Sequence, residues 1–515
     1  MSIEDLKEAI RAMIAAHPEL DASEDGHNVH MERYRTASGA NLGLEPDLKS
    51  KVNLFVERKT VPIGQLADIP HTEYFATNYK TSKPNHDLFE WLGDVPEKWE
   101  VKSLKRCNQL ITDRASEAQN PIALENIESH SGALLPTESE YQGLGVRFGA
   151  GDILFGKLRP YLAKVGLATK PGEAVGDIFV LRPTGQHSAR YLQYQFLTKE
   201  FISIVDGSTY GSKMPRVGWD FLSNMPVVLP EPPEQRSIAA FLDRETAAID
   251  RLVAAQRDLI ALLKEKRQAV ISHAVTKGLD PTAPMQPSGI DWLGDIPKHW
   301  MPSRIKYAAT VRGRIGFRGY TTDDLVAEGE GALVLGGTNI SSNGRISLEK
   351  RTFIRWEKYE ESPEIKIDSG DVLVGQRGSC GKVALVPDNI GAATINPSLV
   401  VLKISDINSQ FLLNWLLGSS AQNVFDSYLN KTAIPMLSQE QISNTPLLTP
   451  PIEEQLQICA FLDERTNELD ELIAQIENAI DLLLERRAAL ISAAVTGKID
   501  VRGLIDLPAT EQVPA

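Results

Sequence analysis

Residues 234–252 read EQRSIAAFLDRETAAIDRL, and residues 454–472 read EQLQICAFLDERTNELDEL. The two segments match at an offset of 220 residues. A match of this length within one chain indicates two related units, each with its own copy of the segment.

Each segment begins a long predicted helix. The stretches 235–275 and 455–495 contain no proline or glycine, so each predicts a helix of about 60 Å at 1.5 Å per residue. The proline-rich turns MPVVLPEPPEQ at 225–235 and TPLLTPPIEEQ at 445–455 exclude helix until a sharp start, and their acidic residues suit a first helical turn. A glycine near each C-terminal end is expected to stop the helix.

The apolar residues of both helices fall on a seven-residue seam. Such a stripe on one isolated helix is more often a face that packs on a local core. Two matched seams in one chain instead favour an intramolecular antiparallel coiled coil with approximate two-fold symmetry. The seam residues are Leu242, Ile249, Leu252, Leu259, Leu263 and Val270 in the first helix and Leu462, Leu469, Leu472, Ile476, Leu483 and Leu490 in the second.

Two shorter motifs are also repeated. WLGDVPEKW at 91–99 returns as WLGDIPKHW at 292–300, an offset of 201, whereas GDILFG at 151–156 returns as GDVLVG at 370–375, an offset of 219. The second unit is therefore longer by about eighteen residues between these motifs. We expect the tryptophans to pack the base of each domain, with glycine and proline setting the turn: Trp91, Trp99, Trp292 and Trp300.

The composition limits the class of protein. The net charge of −14 argues against a protein that coats nucleic acid through bulk charge, so any DNA contact must be local. No apolar run is long enough to span a membrane and the N-terminus is acidic and amphipathic, which predicts a cytoplasmic protein without membrane contact. The three cysteines are far apart and the histidines lack metal-binding spacing, so no metal site is expected.

Polar loops follow the repeated Gly-Asp strands. Arginine, lysine and glutamine reach base edges or phosphates, and glycine permits close approach of the backbone. One such loop is more often an exposed hairpin than a DNA reader, but equivalent placement in two units favours DNA recognition. The candidates are Lys157, Arg159, Tyr161 and Lys164 in the first unit and Gln376, Arg377, Ser379 and Lys382 in the second.

Three further segments carry similar side chains. GSTYGSKMPRVGW at 207–219 contributes Ser208, Thr209, Tyr210, Lys213 and Arg216, and its counterpart YLNKTAIPMLS at 428–438 contributes Asn430, Lys431 and Thr432. VRGRIGFRGYTT at 311–322 contributes Arg312, Arg314, Phe317, Arg318 and Tyr320. We add these residues to the predicted DNA-binding set.

In this order the motifs resemble the specificity subunits of type I restriction-modification systems, over roughly residues 88–501. The carrying features are the two Trp-Leu-Gly-Asp-x-Pro entries, GDILFGKLRPYLAKV, GSTYGSKMPRVGWDFL, RGRIGFRGYTT, ESPEIKIDSGDVL and the doubled helices. The resemblance implies an α+β fold in which two β-rich target recognition domains are separated by two long helices that form an antiparallel coiled coil. It implies that each domain reads one half of a bipartite, asymmetric sequence in double-stranded DNA.

The resemblance also implies the division of the chain and its partners. The domains would be an N-terminal extension at 1–89, recognition domains at 90–234 and 290–453, spacer helices at 235–280 and 454–500, and a tail at 501–515. The subunit would have no catalysis and no cofactor of its own. Two modification subunits would bring S-adenosylmethionine and methylate adenine, and restriction subunits would be further partners.

The residues themselves point to the same absence of catalysis. The methyltransferase tetrad Asn/Asp-Pro-Pro-Phe/Tyr is matched only by NPSL at 396–399, which lacks the second proline and the aromatic residue and is interpreted as a plain turn. No GxxxxGK[ST] phosphate loop is present.

Two alternatives remain open from the sequence. PDLKSKVNLFVERK contains Asp47, Glu57 and Lys59 in the spacing of a PD-(D/E)xK nuclease, although this short motif is common by chance and ninety residues are few for that fold. A coiled-coil scaffold that binds no DNA is the other alternative, and it leaves the repeated basic loops unexplained.

Overall fold

The computed structural model describes residues 92–115, 120–136, 145–211, 213–314, 319–429 and 435–504, with the backbone of five strands nearer the N-terminus. Beyond residue 92 the chain divides into two compact units. Unit A holds residues 92–257 and 477–504, and unit B holds residues 258–476. The spacing of Ile3, Leu6, Ile10 and Ile14 predicts an amphipathic helix over residues 3–16, which lies outside the described residues.

The N-terminal strands form a four-stranded sheet in the order β1-β2-β3-β4. Only two residues connect β3 to β4, so this pair is antiparallel. Asp47 is next to the connection and Glu57 is at the far end of β4, which separates their backbone positions by roughly 15 Å at about 3.3 Å per residue. Backbone positions that far apart disfavour a shared Mg²⁺ site, and Lys59 lies outside the described residues. The strands are β1 (Leu20–Ser23), β2 (Glu32–Thr36), β3 (Asn41–Leu48), β4 (Lys51–Glu57) and β5 (Thr81–Ser82).

Domain 1 is the part of unit A that precedes the first long helix. Its strands form a four-stranded sheet, β12-β11-β14-β8, and a three-stranded sheet, β10-β13-β9. They are β6 (Val95–Pro96), β7 (Glu100–Ser103), β8 (Asn108–Ile111), β9 (Pro121–Ile122), β10 (Val146–Phe148), β11 (Ile153–Gly156), β12 (Val165–Leu167), β13 (Gly172–Ala174), β14 (Ile178–Pro183) and β15 (Pro226–Leu229). Its helices are α1 (Ala189–Phe196), α2 (Lys199–Gly207) and α3 (Trp219–Leu222).

Domain 2 is the part of unit B between the two long helices. It repeats the four-stranded sheet as β19-β27-β24-β25, whereas its second sheet has five strands, β20-β22-β21-β26-β23. Strands β20 and β22 have no counterpart in the described part of domain 1. They lie between the tryptophan and Gly-Asp motifs, where the sequence predicted the extra residues.

The elements of domain 2 lie between the two long helices. The strands are β16 (Met285–Pro287), β17 (Asp295–Pro297), β18 (Met301–Arg304), β19 (Ala309–Gly313), β20 (Leu325–Val326), β21 (Gly331–Leu335), β22 (Phe353–Arg355), β23 (Lys366–Ile367), β24 (Val372–Gly375), β25 (Val383–Leu385), β26 (Ala393–Ile395), β27 (Leu399–Ile404) and β28 (Pro446–Thr449). The short helices are α5 (Trp356–Glu360), α6 (Ser409–Leu417), α7 (Ser419–Leu429) and α8 (Gln439–Asn444), and the long helices are α4 (Pro232–Lys277) and α9 (Ile452–Val495).

The Gly-Asp strands lie at the centre of each domain and are buried on both faces. In β11, Ile153 and Phe155 join the core that contains the domain's helices, and Leu154 joins a smaller core beneath the second sheet. In β24, Val372 and Val374 likewise join the core that contains the helices of domain 2, and Leu373 joins the smaller core beneath the second sheet. Alternating side chains of one strand therefore hold two layers together.

The aspartate of each Gly-Asp motif stabilises the turn that precedes the strand. The carboxylate of Asp152 accepts a hydrogen bond from the Gly149 N–H at 2.7 Å and pairs with Arg182 on β14 at 2.6 Å. Asp371 repeats both contacts with the Asp368 N–H at 2.8 Å and Lys403 on β27 at 2.6 Å. The motif is repeated because both domains need the same turn.

The tryptophan motif connects each domain to a long helix. The Trp99 indole Nε1–H donates to Glu234 in α4 at 3.1 Å, and the Trp300 Nε1–H donates to Glu454 in α9 at 3.0 Å. Both tryptophans are buried, as predicted. Trp292 is 48% exposed, so the prediction that it packs the base of the domain is wrong, and Trp91 lies outside the described residues.

The long helices occur where the sequence predicted them. α4 begins at Pro232, three residues before the predicted start, because proline is tolerated in the first helical turn. Gly278 and Gly497 follow the C-terminal ends with φ of +75° and +74°, the left-handed conformation that glycine adopts readily.

The long helices run antiparallel within each unit. In unit A, the Arg487 guanidinium of α9 pairs with Asp250 of α4 at 2.8 Å and also donates to the His130 carbonyl. In unit B, Arg267 of α4 lies 3.0 Å from Asp470 of α9, a charge contact without hydrogen-bond alignment. The two pairs are counterparts at the offset of 220 residues.

The buried stripe follows alternating steps of four and three residues, so two positions in each repeat of seven are buried. Val253 and Ile473 are buried where the sequence pointed to Leu252 and Leu472, which are only half-buried. One polar side chain, Gln256, is buried in the stripe and its Oε1 accepts no hydrogen bond. The stripe includes Ile249, Val253, Gln256, Ile260 and Leu263 in α4 and Leu469, Ile473, Ile476 and Ile480 in α9.

No helix in the described part of the chain is long and apolar enough to cross a membrane. Within the same residues, no group of acidic, histidine and cysteine side chains is arranged to hold a metal ion.

The Arg487 pair predicts a measurable contribution to stability. Arg487→Ala leaves Asp250 and the His130 carbonyl without their donor, and we expect a loss of about 1–2 kcal/mol in the free energy of unfolding because Asp250 keeps part of its hydration. Arg502→Ala is the control, since its pair with Asp500 is exposed, and should cost less than about 0.5 kcal/mol. Equal losses in urea denaturation of the two variants would contradict the assigned role.

Candidate DNA-recognition surfaces

Three loops meet at one end of the four-stranded sheet in domain 1. The Lys157 N–H donates to the Asp177 carbonyl at 2.8 Å, and the Val217 N–H donates to the Lys157 carbonyl at 3.1 Å. A backbone bridge joins Leu158 to Arg216. We call this surface the domain-1 tip and define it as residues 157–164, 175–177, 208–211 and 213–217.

Domain 2 builds the same surface with the same backbone contacts. The Gln376 N–H donates to the Ser398 carbonyl at 2.8 Å, the Leu437 N–H donates to the Gln376 carbonyl at 3.0 Å, and a bridge joins Arg377 to Met436. The domain-2 tip is defined as residues 376–382, 396–398 and 435–437. In each domain the structure thus brings together the Gly-Asp loop and the segment before the proline-rich turn, which the sequence had singled out separately.

The third loop of each tip was missed from the sequence. NPSL at 396–399 had been interpreted as a plain turn, and residues 175–177 had not been considered. These loops connect β13 to β14 and β26 to β27, and their place beside the Gly-Asp strands follows from sheet pairing between distant segments. Alignment of the two strand pairs at offsets near 220 would have indicated their equivalence.

Several predicted residues expose their side chains at the domain-1 tip. Tyr161 is 48% exposed and Tyr210 is 64% exposed, and Arg159 and Lys213 are exposed beside them. Arg159 has φ of +51°, and its N–H donates to the Pro215 carbonyl at 2.8 Å, which fixes the course of the loop. This surface combines positive charge with aromatic faces.

Other predicted residues of domain 1 direct their polar groups to partners within the protein. The Lys164 ammonium donates to the Leu124 carbonyl at 2.6 Å, and Lys157 lies 5.1 Å from the centre of the Phe179 ring. Ser208 and Thr209 donate their hydroxyls to the carbonyls of Val205 and Asp206, respectively, at the end of α2. These contacts indicate that the four side chains stabilise the loops.

Arg216 is paired with a carboxylate at the domain-1 tip. Its Nη2 lies 2.8 Å from Asp177 Oδ2, and its Nε lies 3.1 Å from each carboxylate oxygen. The hydrogen bond to Asp177 raises the pKa of the Arg216 guanidinium above its ordinary value. The pair joins two of the three loops.

Domain 2 separates its predicted residues in the same manner. Arg312, Arg377 and Lys382 are exposed. Ser379 is half-buried, and its hydroxyl lies so close to Gly337 that a Cβ added to this glycine would be 2.6 Å from it. Five predicted residues lie outside the described part of the chain: Phe317, Arg318, Asn430, Lys431 and Thr432.

Two residues of domain 2 that the sequence predicts to contact DNA are buried and have structural roles. Arg314 is 6% exposed and donates to the Ile395 carbonyl at 3.0 Å and the Thr394 hydroxyl at 3.2 Å. Burial lowers the pKa of its guanidinium, and Tyr320 lies against it, 5.5 Å from ring centre to guanidinium carbon. Gln376 is 8% exposed and donates to the Pro397 carbonyl at 3.0 Å. Burial and internal bonds leave neither side chain available to DNA.

Comparison with known proteins agrees with this architecture. Residues 337–482 match a family model described as the type I restriction modification DNA specificity domain. The specificity subunit of the type I restriction enzyme MjaVIII of Methanocaldococcus jannaschii is 22% identical over 61% of this chain and 71% of its own length. Over these stretches the chain is similar to specificity subunits of type I restriction-modification systems.

Two further proteins show similarity of the same kind. The specificity subunit of the Escherichia coli type I restriction enzyme EcoDI is 22% identical over 58% of this chain and 68% of its own length. A solved chain from work on complex assembly and conformational transition of the type I R-M system has a similar fold. Its TM-score is 0.61 at 17% identity, over 79% of this chain and 99% of that chain. The paired domains and long helices described above are thus a fold shared with that solved chain.

Arg312 and Arg314 provide a direct test of the surfaces, because they are two residues apart and differ in burial. We expect Arg314→Ala to lower the free energy of unfolding by about 1–3 kcal/mol, since two buried acceptors lose their donor. Arg312→Ala should change stability by less than about 0.5 kcal/mol. Denaturant unfolding of both variants checks this, and the reverse order would refute the assignment.

Proposed function

We propose that this chain is the DNA-recognition subunit of a type I restriction-modification complex, and that it reads a bipartite, asymmetric target. The domain-1 tip reads one half of the target and the domain-2 tip reads the other. The chain performs no catalysis, and it directs adenine methylation, and restriction where restriction subunits join, by its partner subunits.

The repetition of the tip is the observation that carries this proposal. Equivalent backbone hydrogen bonds build the same three-loop surface twice, while the side chains presented by the two copies differ. Lys157, Asp177 and Arg216 in domain 1 correspond to Gln376, Ser398 and Met436 in domain 2. A shared frame with divergent side chains suits two readers of two different DNA sequences.

The partners follow from the same proposal. Two modification subunits, one for each related half of the chain, supply S-adenosylmethionine and the methyltransferase site, and restriction subunits are further partners. The complex acts on double-stranded DNA in the cytoplasm.

The charge of the chain predicts how it binds DNA. With a net charge of −14, the isolated chain lacks the general attraction that supports non-specific binding. Exposed basic residues at the tips, including Arg159 and Arg377, supply positive charge locally. We therefore propose that the chain alone binds DNA weakly and that sequence-specific binding requires the modification subunits.

Substitution of one exposed arginine in each tip tests the function. In the complex with modification subunits, we expect Arg159→Ala and Arg377→Ala each to lose about 1–3 kcal/mol of binding free energy for target DNA. Fluorescence anisotropy at fixed salt measures binding, and mapping of methylated adenines in host DNA measures selectivity.

Arg502→Ala is the control for this experiment because it removes the same charge outside both tips. It should leave binding and methylation unchanged. A coiled-coil scaffold that reads no DNA predicts unchanged binding for all three variants, and that outcome would overturn the proposal.

Cysteine reactivity offers a second test, because only Cys380 lies in a tip. Burial raises the pKa of Cys107 to about 11 and that of Cys459 to about 12, which leaves little reactive thiolate near pH 8. Cys380 is half-buried and more accessible. We expect iodoacetamide to modify Cys380 first in the native complex, as read by mass spectrometry.

Target DNA should slow this modification. Non-target DNA of equal length serves as the control and should protect Cys380 less at the same concentration. Bound target DNA that leaves the rate at Cys380 unchanged would contradict placement of DNA at the domain-2 tip.

A further inference from the structure

The Asp177 carboxylate engages one edge of the Arg216 guanidinium. The pair uses Nε–H and one N–H of Nη2, at 2.8 to 3.1 Å. The other edge, formed by Nη1 and the second N–H of Nη2, takes no part in it. That edge presents two parallel donors, which is the arrangement that arginine uses for a planar pair of acceptors.

The backbone of Arg216 is held on both sides. Its N–H donates to the Tyr210 carbonyl at 3.1 Å and its carbonyl accepts from the Tyr210 N–H at 3.1 Å, while Leu158 forms a bridge from the other side. The side chain is 35% exposed. Arg216 is therefore fixed at both its backbone and its guanidinium, yet it reaches the surface of the domain-1 tip.

Charge distinguishes two possible DNA contacts of such a residue. Phosphate binding is driven by positive charge that displaces counterions. The Arg216–Asp177 pair is neutral overall, so it offers little for that purpose. Base reading depends on donor geometry, and two parallel donors match O6 and N7 of guanine in the major groove.

The equivalent positions of domain 2 carry no such pair. Ser398 stands where domain 1 has Asp177, and Met436 stands where it has Arg216, within the same backbone frame. The frame thus forms without an ion pair. Its presence in domain 1 alone indicates a role specific to the sequence which that domain reads.

We propose that Arg216 reads a guanine in the half-site bound by domain 1 and that Asp177 is its positioning residue. The inference rests on the proposed function and adds a base and two residues to it. Asp177 holds the guanidinium in one orientation, which reduces the freedom lost on binding and aims the free edge at the base.

The experiment compares complexes that contain the wild-type chain, Arg216→Ala or Asp177→Asn, each with the same modification subunits. Mapping of methylated adenines gives the target sequence of each complex. Binding to duplexes that differ at a single base pair gives the preference at that position. Arg216→Ala should lose between about 5-fold and 150-fold of the preference for one G·C pair, with all other positions unchanged.

Asp177→Asn separates positioning from contact. The asparagine has nearly the same shape but no charge, so Arg216 remains present and less firmly held. The preference at the same G·C pair should fall by less than in Arg216→Ala, with no change elsewhere. Loss of preference at a different position would overturn the role of Asp177.

Two control variants test whether a general structural defect explains a change in preference. Arg182→Ala breaks the other bidentate arginine–aspartate pair of domain 1, outside the tip, and should lower thermal stability while the target sequence stays the same. Met436→Ala changes the counterpart of Arg216 and should leave the preference in the domain-1 half-site intact.

The outcomes distinguish this inference from the function beneath it. A wild-type target without a G·C pair in one half, or an Arg216→Ala complex with unchanged preference at every position, overturns the inference alone. Reduced preference at all positions of both halves assigns Arg216 to folding and overturns it as well. Methylation whose target sequence does not depend on this chain at all overturns the proposed function.

Discussion

A buried indole N–H must have an acceptor, and this requirement connects each domain to its long helix. Trp99 and Trp300 donate to Glu234 and Glu454 in the first turns of α4 and α9. An unpaired N–H at these positions would cost a few kcal/mol. This bond holds the tryptophan motif of each domain against the start of its long helix, beside the apolar core that joins the same elements.

Local signals in the sequence were sufficient for the helices, the repeated motifs and two of the three loops that form each tip. Proline and glycine marked the ends of α4 and α9. The apolar residues of both helices recur at a regular spacing over about forty residues. The second sheet and the third loop of each tip depend on pairing between distant segments. Sequence spacing carries little information about such pairing.

Burial of polar side chains was the other property that the sequence concealed. Arg314 and Gln376 have the residue types and the loop positions of DNA contacts, yet both donate to carbonyls inside domain 2. Trp292 shows the opposite case, since its motif is repeated but its ring is exposed. Residue type indicates which bonds a side chain can form, whereas the fold decides whether the partner is DNA or the protein itself.

The order of the chain within unit A has a consequence for biosynthesis. The main core of domain 1 includes Ile491, Ala494 and Val495 from the end of α9, and Val501 beyond it. The ribosome makes these residues long after the rest of domain 1, whereas unit B lies within the single range 258–476. Unit B is therefore the part that can complete its core first during translation. Domain 1 comes first in the sequence, yet its core is completed only after the chain of unit B has been made.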